Sequence, residues 1–199
     1  SYSQYTYDAL GRRIKKRFPD GKTIFYLYDG YNLVQELNDK GQIIASYIYD
    51  LGIDHPISMF RGGKTYYYLY DHIGSVIALT DEIGKIVVQY EYDAWGNITK
   101  EIGDIPNPFR FTGREWDEEN GYYYYRARCY DPSIGRFISK DPSPGSLTNP
   151  QSFNKYTYAY NNPLSYKIPF GLSPIRPLSH LRADKMETFN NVLDIKVKE

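Results

Sequence analysis

The sequence predicts a mainly β chain that is built from successive antiparallel hairpins and contains little helix. Three observations predict this fold class: a large excess of tyrosine, a repeated Tyr-x-Tyr-Asp motif, and turn signals between alternating apolar segments. Of the 199 residues, 23 are tyrosine, against 9 Phe and 2 Trp. Tyrosine suits a pleated, half-buried strand, because its ring packs against neighbours while its hydroxyl reaches a polar partner.

The repeat has a fixed length. Its second tyrosines are Tyr7, Tyr28, Tyr49, Tyr70 and Tyr92, so the steps are 21, 21, 21 and 22 residues. Side chains alternate along a strand, so the two tyrosines of each Tyr-x-Tyr motif share one face. Units of this length that recur along a chain are typical of arrays in which each unit buries its face against its neighbours.

The aspartate that follows each tyrosine pair predicts a turn. A carboxylate there can accept a hydrogen bond from a backbone N–H two residues further on. Glycine follows three residues later in most copies, where a positive φ is required; these glycines are Gly11, Gly74 and Gly96. The repeated aspartates are therefore interpreted as scaffold, since a catalytic carboxylate is normally singular and differs from its neighbours.

The charge balance and the few cysteine and histidine residues limit the kinds of partner and binding site that the sequence predicts. The 24 basic and 24 acidic residues balance, which gives no electrostatic reason to expect a nucleic acid or membrane partner. No run approaches 18 apolar residues, so we expect no membrane insertion. Cys129 is the single cysteine and the three histidines lack ligand spacing, so no metal and no cofactor are predicted. The basic run 12–17 is predicted to be a solvated strand face.

Several ordered motifs carry a family resemblance. The first is Tyr5-Thr6-Tyr7-Asp8-Ala9-Leu10-Gly11-Arg12, and further motifs follow in the ranges 109–115, 121–132, 135–142, 161–164 and 169–172. Together they resemble the C-terminal YD repeats and the repeat-associated core domain of the bacterial Rhs family. The resemblance covers residues 1–172 and is specific, because several spaced motifs occur in the family's order.

The resemblance implies an architecture and a partner. Residues 1–108 would be a YD-repeat hairpin array within a spiralling shell, 109–172 an irregular core-domain plug, and 173–199 a C-terminal extension or the start of a toxin. The implied partners are the remaining shell of the same protein and an enclosed C-terminal toxin. Similar shells occur in insecticidal Tc complexes and in teneurins. The implied location is secreted or delivered to the cell surface.

The resemblance also implies an aspartyl autoprotease that uses two Asp-Pro motifs. The first matches at Asp141, for which Arg136 is the predicted partner, and the cut would fall between Leu172 and Ser173. Ile168 stands where the second aspartate belongs. Isoleucine neither accepts nor supplies a proton, and losing one acid–base partner typically costs about 10²–10⁴ in rate. Cleavage is therefore expected to be slow or absent, which makes the chain at most a degenerate enzyme.

Two other functions stay open from the residues: an active self-cleaving protease, and a YD-repeat adhesion or carbohydrate-binding protein whose aromatic faces stack on sugars. Three further structural predictions concern the second half. Residues 156–160 are predicted to form one more strand, residues 178–193 an amphipathic helix, and Asp104 and Asp117 are placed in loops.

Overall fold

Two antiparallel sheets make up the structure, a computed structural model that describes residues 2–172, 174 and 175. The first sheet has ten strands in chain order, each paired with the next. They are β1 (Gln4–Tyr7), β2 (Arg13–Arg17), β3 (Thr23–Asp29), β4 (Asn32–Leu37), β5 (Ile43–Tyr49), β6 (Pro56–Arg61), β7 (Lys64–Tyr70), β8 (Val76–Thr80), β9 (Ile86–Tyr92) and β10 (Ile98–Ile102). The predicted mainly β, antiparallel class is confirmed.

The second sheet has four short strands. These are β11 (Glu115–Asp117), β12 (Tyr122–Tyr125), β13 (Arg128–Asp131) and β14 (Arg136–Phe137), and three 3₁₀ turns accompany them, at Phe111–Gly113, Pro150–Phe153 and Ala159–Asn161. The predicted strand over 156–160 is wrong. Within it only Thr157 pairs, in one bridge to Arg136. Residues 159–161 have φ values of 49°, 52° and 59°, a left-handed conformation that cannot extend a strand.

Five turns of the first sheet share one geometry. In the first, the Asp8 N–H donates to the Arg12 carbonyl at 2.9 Å and the Gly11 N–H donates to the Asp8 carbonyl at 3.0 Å. One Asp8 carboxylate oxygen accepts from the backbone N–H groups of Leu10 and Arg12. The same pattern starts at Asn38, Asp71, Asp81 and Asp93. The predicted scaffold role is confirmed for the repeat aspartates among these.

The tyrosines form the core of the first sheet. The first tyrosine of four repeats is buried on one face, and the second packs beside it; the buried rings are Tyr26, Tyr47, Tyr68 and Tyr90. Aliphatic side chains fill the space between the rings, among them Met59, Val76 and Leu79, each essentially inaccessible to solvent. Burying such a side chain contributes about 1.5–3 kcal/mol, so each repeat depends on its neighbours for stability.

The basic run is not a solvated face throughout. Arg13 is 1% exposed, and its two terminal nitrogens donate to the two carboxylate oxygens of Asp117, both at 2.7 Å. Lys16 is also buried and donates to Asp117 at 2.9 Å. Asp117 lies in β11 rather than in a loop, so both sequence predictions are wrong at these positions, whereas Asp104 is exposed and lies outside the strands. The ion pairs join the second sheet to the first.

A second aromatic cluster lies around the second sheet. It contains Tyr123, Tyr125, Tyr130, Phe137 and Tyr158, and Ile168 is fully buried in it. Two hydroxyls tie this cluster to the β9–β10 turn, since Tyr123 donates to the carbonyl of Gly96 and Tyr130 to that of Trp95, both at 2.8 Å. The helix predicted over 178–193 lies outside the described residues.

Candidate functional site

Arg128 lies at the centre of the candidate site. It opens β13, its side chain is 2% exposed, and its guanidinium carbon lies 3.6 Å from the centroid of the Phe137 ring. One terminal nitrogen contacts a carboxylate oxygen of Asp141 at 2.9 Å and donates to the Leu172 carbonyl at 3.1 Å. Arg128 therefore joins the predicted catalytic carboxylate to the predicted cleavage point. Burial lowers the pKa of Arg128 to about 10, and Asp141 opposes that shift.

Asp141 is held from both sides. Its backbone N–H donates to the Lys155 carbonyl at 2.9 Å, and its side chain accepts from the Ser143 N–H at 2.8 Å. The carboxylate therefore closes an Asx turn as well as pairing with Arg128. Asp141 and Leu172 also line one small cavity of about 30 Å³. That volume is sufficient for a single water molecule.

The segment before the predicted cut is held by its carbonyl groups. Arg126 donates to the Pro169 carbonyl, the Ala127 N–H donates to the Phe170 carbonyl at 3.4 Å, and Arg128 donates to the carbonyls of Gly171 and Leu172. Three consecutive residues, two in the β12–β13 turn and one at the start of β13, thus hold the four carbonyls of 169–172, which fixes the segment on the N-terminal side of the predicted cut.

A buried carboxylate connects this arrangement to the first sheet. Asp54, in the loop between β5 and β6, accepts from Arg114 and Arg126, and the nearest Arg126 contact is 2.6 Å. Burial raises the pKa of Asp54, but Arg114 and Arg126 outweigh that effect, so the pKa lies below its usual value. The carboxylate is therefore ionised at neutral pH and links the hairpin array to the turn that holds 169–172.

The remaining predicted site residues are placed differently. Arg136 is exposed, and the arginine that pairs with Asp141 is Arg128, so the predicted Arg136 partnership is corrected. Ile168 has no access to solvent and lies among aromatic rings, and its carbonyl accepts from the Gly171 N–H at 3.1 Å. Ser173 lies outside the described residues.

Sequence reasoning missed Arg126 and Arg128. A signal was present, because both arginines come just after a run of four tyrosines that is typical of a buried strand. A buried guanidinium needs acceptors, so an arginine in such a run indicates a carboxylate or carbonyl partner elsewhere in the chain. The partner of each arginine depends on where the fold places residues 141 and 169–172, which lie more than ten positions further along the chain.

The described residues contain no cluster of three or more His, Cys, Asp or Glu side chains placed to bind a metal ion. Over the same residues, no helix is long and apolar enough to cross a membrane. Cys129 is half-buried, and burial raises the pKa of its thiol.

Comparison with known families identifies the fold. The family model described as teneurin YD-shell matches residues 2–164, most of the chain. The chain belongs to the teneurin YD-shell family. The resemblance to YD-repeat proteins stated from the sequence is therefore confirmed.

This YD-shell chain is similar to segments of much longer proteins. It is 42% identical over 177 residues to the tRNA(Glu)-specific nuclease WapA of Bacillus subtilis subsp. natto, and the match covers 85% of this chain and 7% of that protein. It is 28% identical over 203 residues to the double-stranded DNA deaminase toxin A of Burkholderia cenocepacia, with 86% of this chain and 14% of that protein covered. The chain thus spans only a small part of these relatives.

Solved structures show the same fold. The crystal structure of TcdB2-TccC3-Cdc42 superimposes on the YD-shell chain with a TM-score of 0.68 over 85% of this chain and 9% of that chain. The two are 24% identical in sequence, so the likeness is one of fold.

Proposed function

We propose that this YD-shell chain is a wall segment, with its plug, of a shell that encloses a C-terminal toxin, and that its self-cleavage is disabled by Ile168. The observation that carries the proposal is the guanidinium of Arg128, which contacts both the Asp141 carboxylate and the Leu172 carbonyl. A turn residue with a purely structural role needs no such link to the predicted cleavage point. The toxin and nuclease relatives support the enclosing role.

In this proposal residues 1–108 are the hairpin wall, 109–172 the plug, and 173–199 the extension or the start of the enclosed polypeptide. The wall would continue through other repeats of the same protein, because β1 and β10 each leave one edge of the first sheet unpaired within the described residues. Unpaired strand edges are stabilised by further strands. The protein would be secreted or delivered to a cell surface.

The proposed chemistry uses residues that the fold brings together. A water molecule beside Asp141 would attack the Leu172 carbonyl carbon while the carboxylate accepts its proton. Arg128 donates to that carbonyl oxygen at 3.1 Å and would stabilise the negative charge that develops there. The leaving amine needs a proton from a second acid, as in other paired-carboxylate sites. By the family resemblance, Ile168 stands at the sequence position of that acid, and isoleucine cannot provide the proton.

The experiment is an intact-mass measurement on three purified chains: the natural sequence, Ile168→Asp and Ile168→Asn. The natural chain is expected to remain at 23.2 kDa. Ile168→Asp is expected to yield fragments divided after Leu172. Ile168→Asn is the matched control, because asparagine resembles aspartate in shape and polarity but has no acidic group. This variant is expected to stay intact. Complete cleavage of the natural chain would overturn the proposal and favour an active protease.

The adhesion alternative is less well supported. Its aromatic faces would have to be accessible to sugars, yet the first tyrosine is buried in four of the repeats; Tyr47, Tyr68 and Tyr90 are 4%, 6% and 2% exposed. A glycan-binding screen tests it, and selective binding of a sugar by the natural chain would revive it.

A further inference from the structure

The first sheet has a second face, opposite the one that carries the tyrosine core, and this back face is apolar as well. Paired residues of neighbouring strands lie on the same face, and so do residues two apart in one strand. The register from β3 to β7 therefore places six large side chains together on the back face: Phe25, Leu27, Ile48, Phe60, Tyr67 and Leu69. These six residues are called the back-face patch.

The side chains of the back-face patch are accessible to solvent. Ile48 is 62% exposed and Phe60 51%, and the other four lie between 39% and 48%. Ile57 and Ile77, the extra residues of two bulges beside the patch, are also exposed. A large side chain offers about 150–250 Å² when free, so these eight together present about 550–900 Å². A monomeric protein rarely exposes an apolar patch of that size, which indicates an interaction surface.

Charge is confined to the rim of the back face. Over strands β3 to β8, all within the described part of the chain, Asp29 at the end of β3 is the one charged residue on this face. Further charges begin on the flanking strands, with Lys15 of β2, which pairs with Phe25, and with Glu91 of β9, which forms an exposed ion pair with Lys100. An apolar centre inside a charged rim is typical of a protein interface.

The size and charge of the patch favour a second copy of this chain as its occupant. A standard protein interface buries about 800 Å² on each partner, which the exposed apolar surface of the back face matches. Because the centre of the face is uncharged, two identical faces meet there without like-charge repulsion. An anionic membrane is favoured less, since the 24 basic and 24 acidic residues of the chain balance and supply no net attraction.

We infer that two copies of this chain associate through the back-face patch, as a twofold dimer in which the two first sheets pack face to face. Sheets packed in this way lie about 10 Å apart. Because both copies use the same face, the assembly closes at two chains. The inference is independent of self-cleavage, since the plug packs against the other face of the sheet, where Phe109 contacts Tyr47.

The first test is sedimentation velocity over a wide range of chain concentration. The natural chain is expected to form a species of twice its 23.2 kDa mass as the concentration rises. Ile48→Lys and Leu69→Lys each place a charge within the patch, and each should weaken the dimer about 100-fold or more, because a twofold interface buries the change twice. The matched control is Leu147→Lys, at an 89% exposed position in a loop of the plug, which should leave the dissociation constant unchanged.

Hydroxyl-radical footprinting of the natural chain locates the contact without any substitution. Phe60 and Tyr67 should lose reactivity as the dimer forms, whereas Tyr2, which is 93% exposed and precedes the edge strand β1, should keep it. A thermal melt shows whether each lysine variant is folded. If one of them unfolds, the other variant and the footprint still decide.

Four results would overturn the inference: a natural chain that stays monomeric, a dimer that both lysine variants retain, protection of Tyr2 in place of Phe60 and Tyr67, or masses that keep growing beyond the dimer. The last two would indicate pairing through the open edges of β1 and β10. A monomeric chain that cosediments with phosphatidylcholine–phosphatidylserine vesicles, and loses that binding in both lysine variants, would assign the patch to a membrane instead.

Discussion

The ion pair between Arg13 and Asp117 offers the sharpest test of how the plug is attached to the wall. The two side chains are 1% and 2% exposed and share two hydrogen bonds of 2.7 Å, and Lys16 adds a third contact to the same carboxylate. Burial lowers the pKa of Arg13, but Asp117 outweighs it and the pKa lies well above its ordinary value. Asp117→Asn would leave the buried Arg13 without its paired carboxylate, whereas Lys16 would keep its contact with Glu119 at 2.8 Å.

Breaking one side of a buried pair costs about 3–5 kcal/mol. With a urea dependence of about 2 kcal/mol per molar, typical of small proteins, the unfolding midpoint should fall by about 2 M. The control is Glu91→Gln, which removes the exposed pair with Lys100, whose side chains are 53% and 50% exposed. Such a surface pair contributes about 1 kcal/mol or less.

Urea is the denaturant to use, because guanidinium is itself an ion that screens charge. Unfolding is followed by near-ultraviolet circular dichroism, which reports the packing of the tyrosine core. A midpoint shift for Asp117→Asn no larger than that for Glu91→Gln would refute the claim that this pair fastens the second sheet to the first. Salt should weaken the exposed pair more than the buried one.

Three further predictions concern the backbone, pH and the core. Gly171→Ala should destabilise the chain more than Gly41→Ala in thermal melts, because a Cβ at Gly171 would lie 2.2 Å from the Tyr125 carbonyl oxygen whereas none is near Gly41; equal losses would contradict this. Burial raises the pKa of Glu115 above its ordinary value of 4.5, so the folded chain holds the proton more tightly than the unfolded chain does. The stability that this proton contributes is present below pH 4.5 and is lost as the pH rises through the folded-state pKa. The stability of Glu115→Gln relative to the natural chain should therefore increase with pH in urea titrations, and parallel pH profiles would argue against it. Leu79→Ala should cost about 2–5 kcal/mol, because Leu79 is 0% exposed; a loss below 1 kcal/mol would show a core that readily collapses.

The hairpin array could be predicted because its signals are local. Tyr-x-Tyr fixes one face of a strand, and an aspartate with a glycine three residues later fixes the turn, so a repeat that carries both signals encodes its own geometry. The register shifts beside the second tyrosine of each pair had no sequence signal, since a bulge adds one residue without changing the alternation that precedes it.

The plug could be predicted only in part, because its contacts join distant residues. The burial of Arg13 depends on Asp117, which is 104 positions away, and a run of basic residues alone does not reveal that partner. Proximity in the sequence predicts Arg136 as the partner of Asp141, whereas the fold brings Arg128 to that carboxylate. The left-handed turn at Tyr160 interrupts an alternating pattern that otherwise predicts a strand.

The most direct test of the account is a second substitution in the Ile168→Asp chain. If Asp141 and a restored acid act as a pair on the Leu172 peptide, Ile168→Asp should yield two fragments in the mass spectrum, and adding Asp141→Asn should abolish them while the thermal melt stays cooperative. Fragments that appear at the same rate in the double variant, or at any other peptide bond, would contradict it.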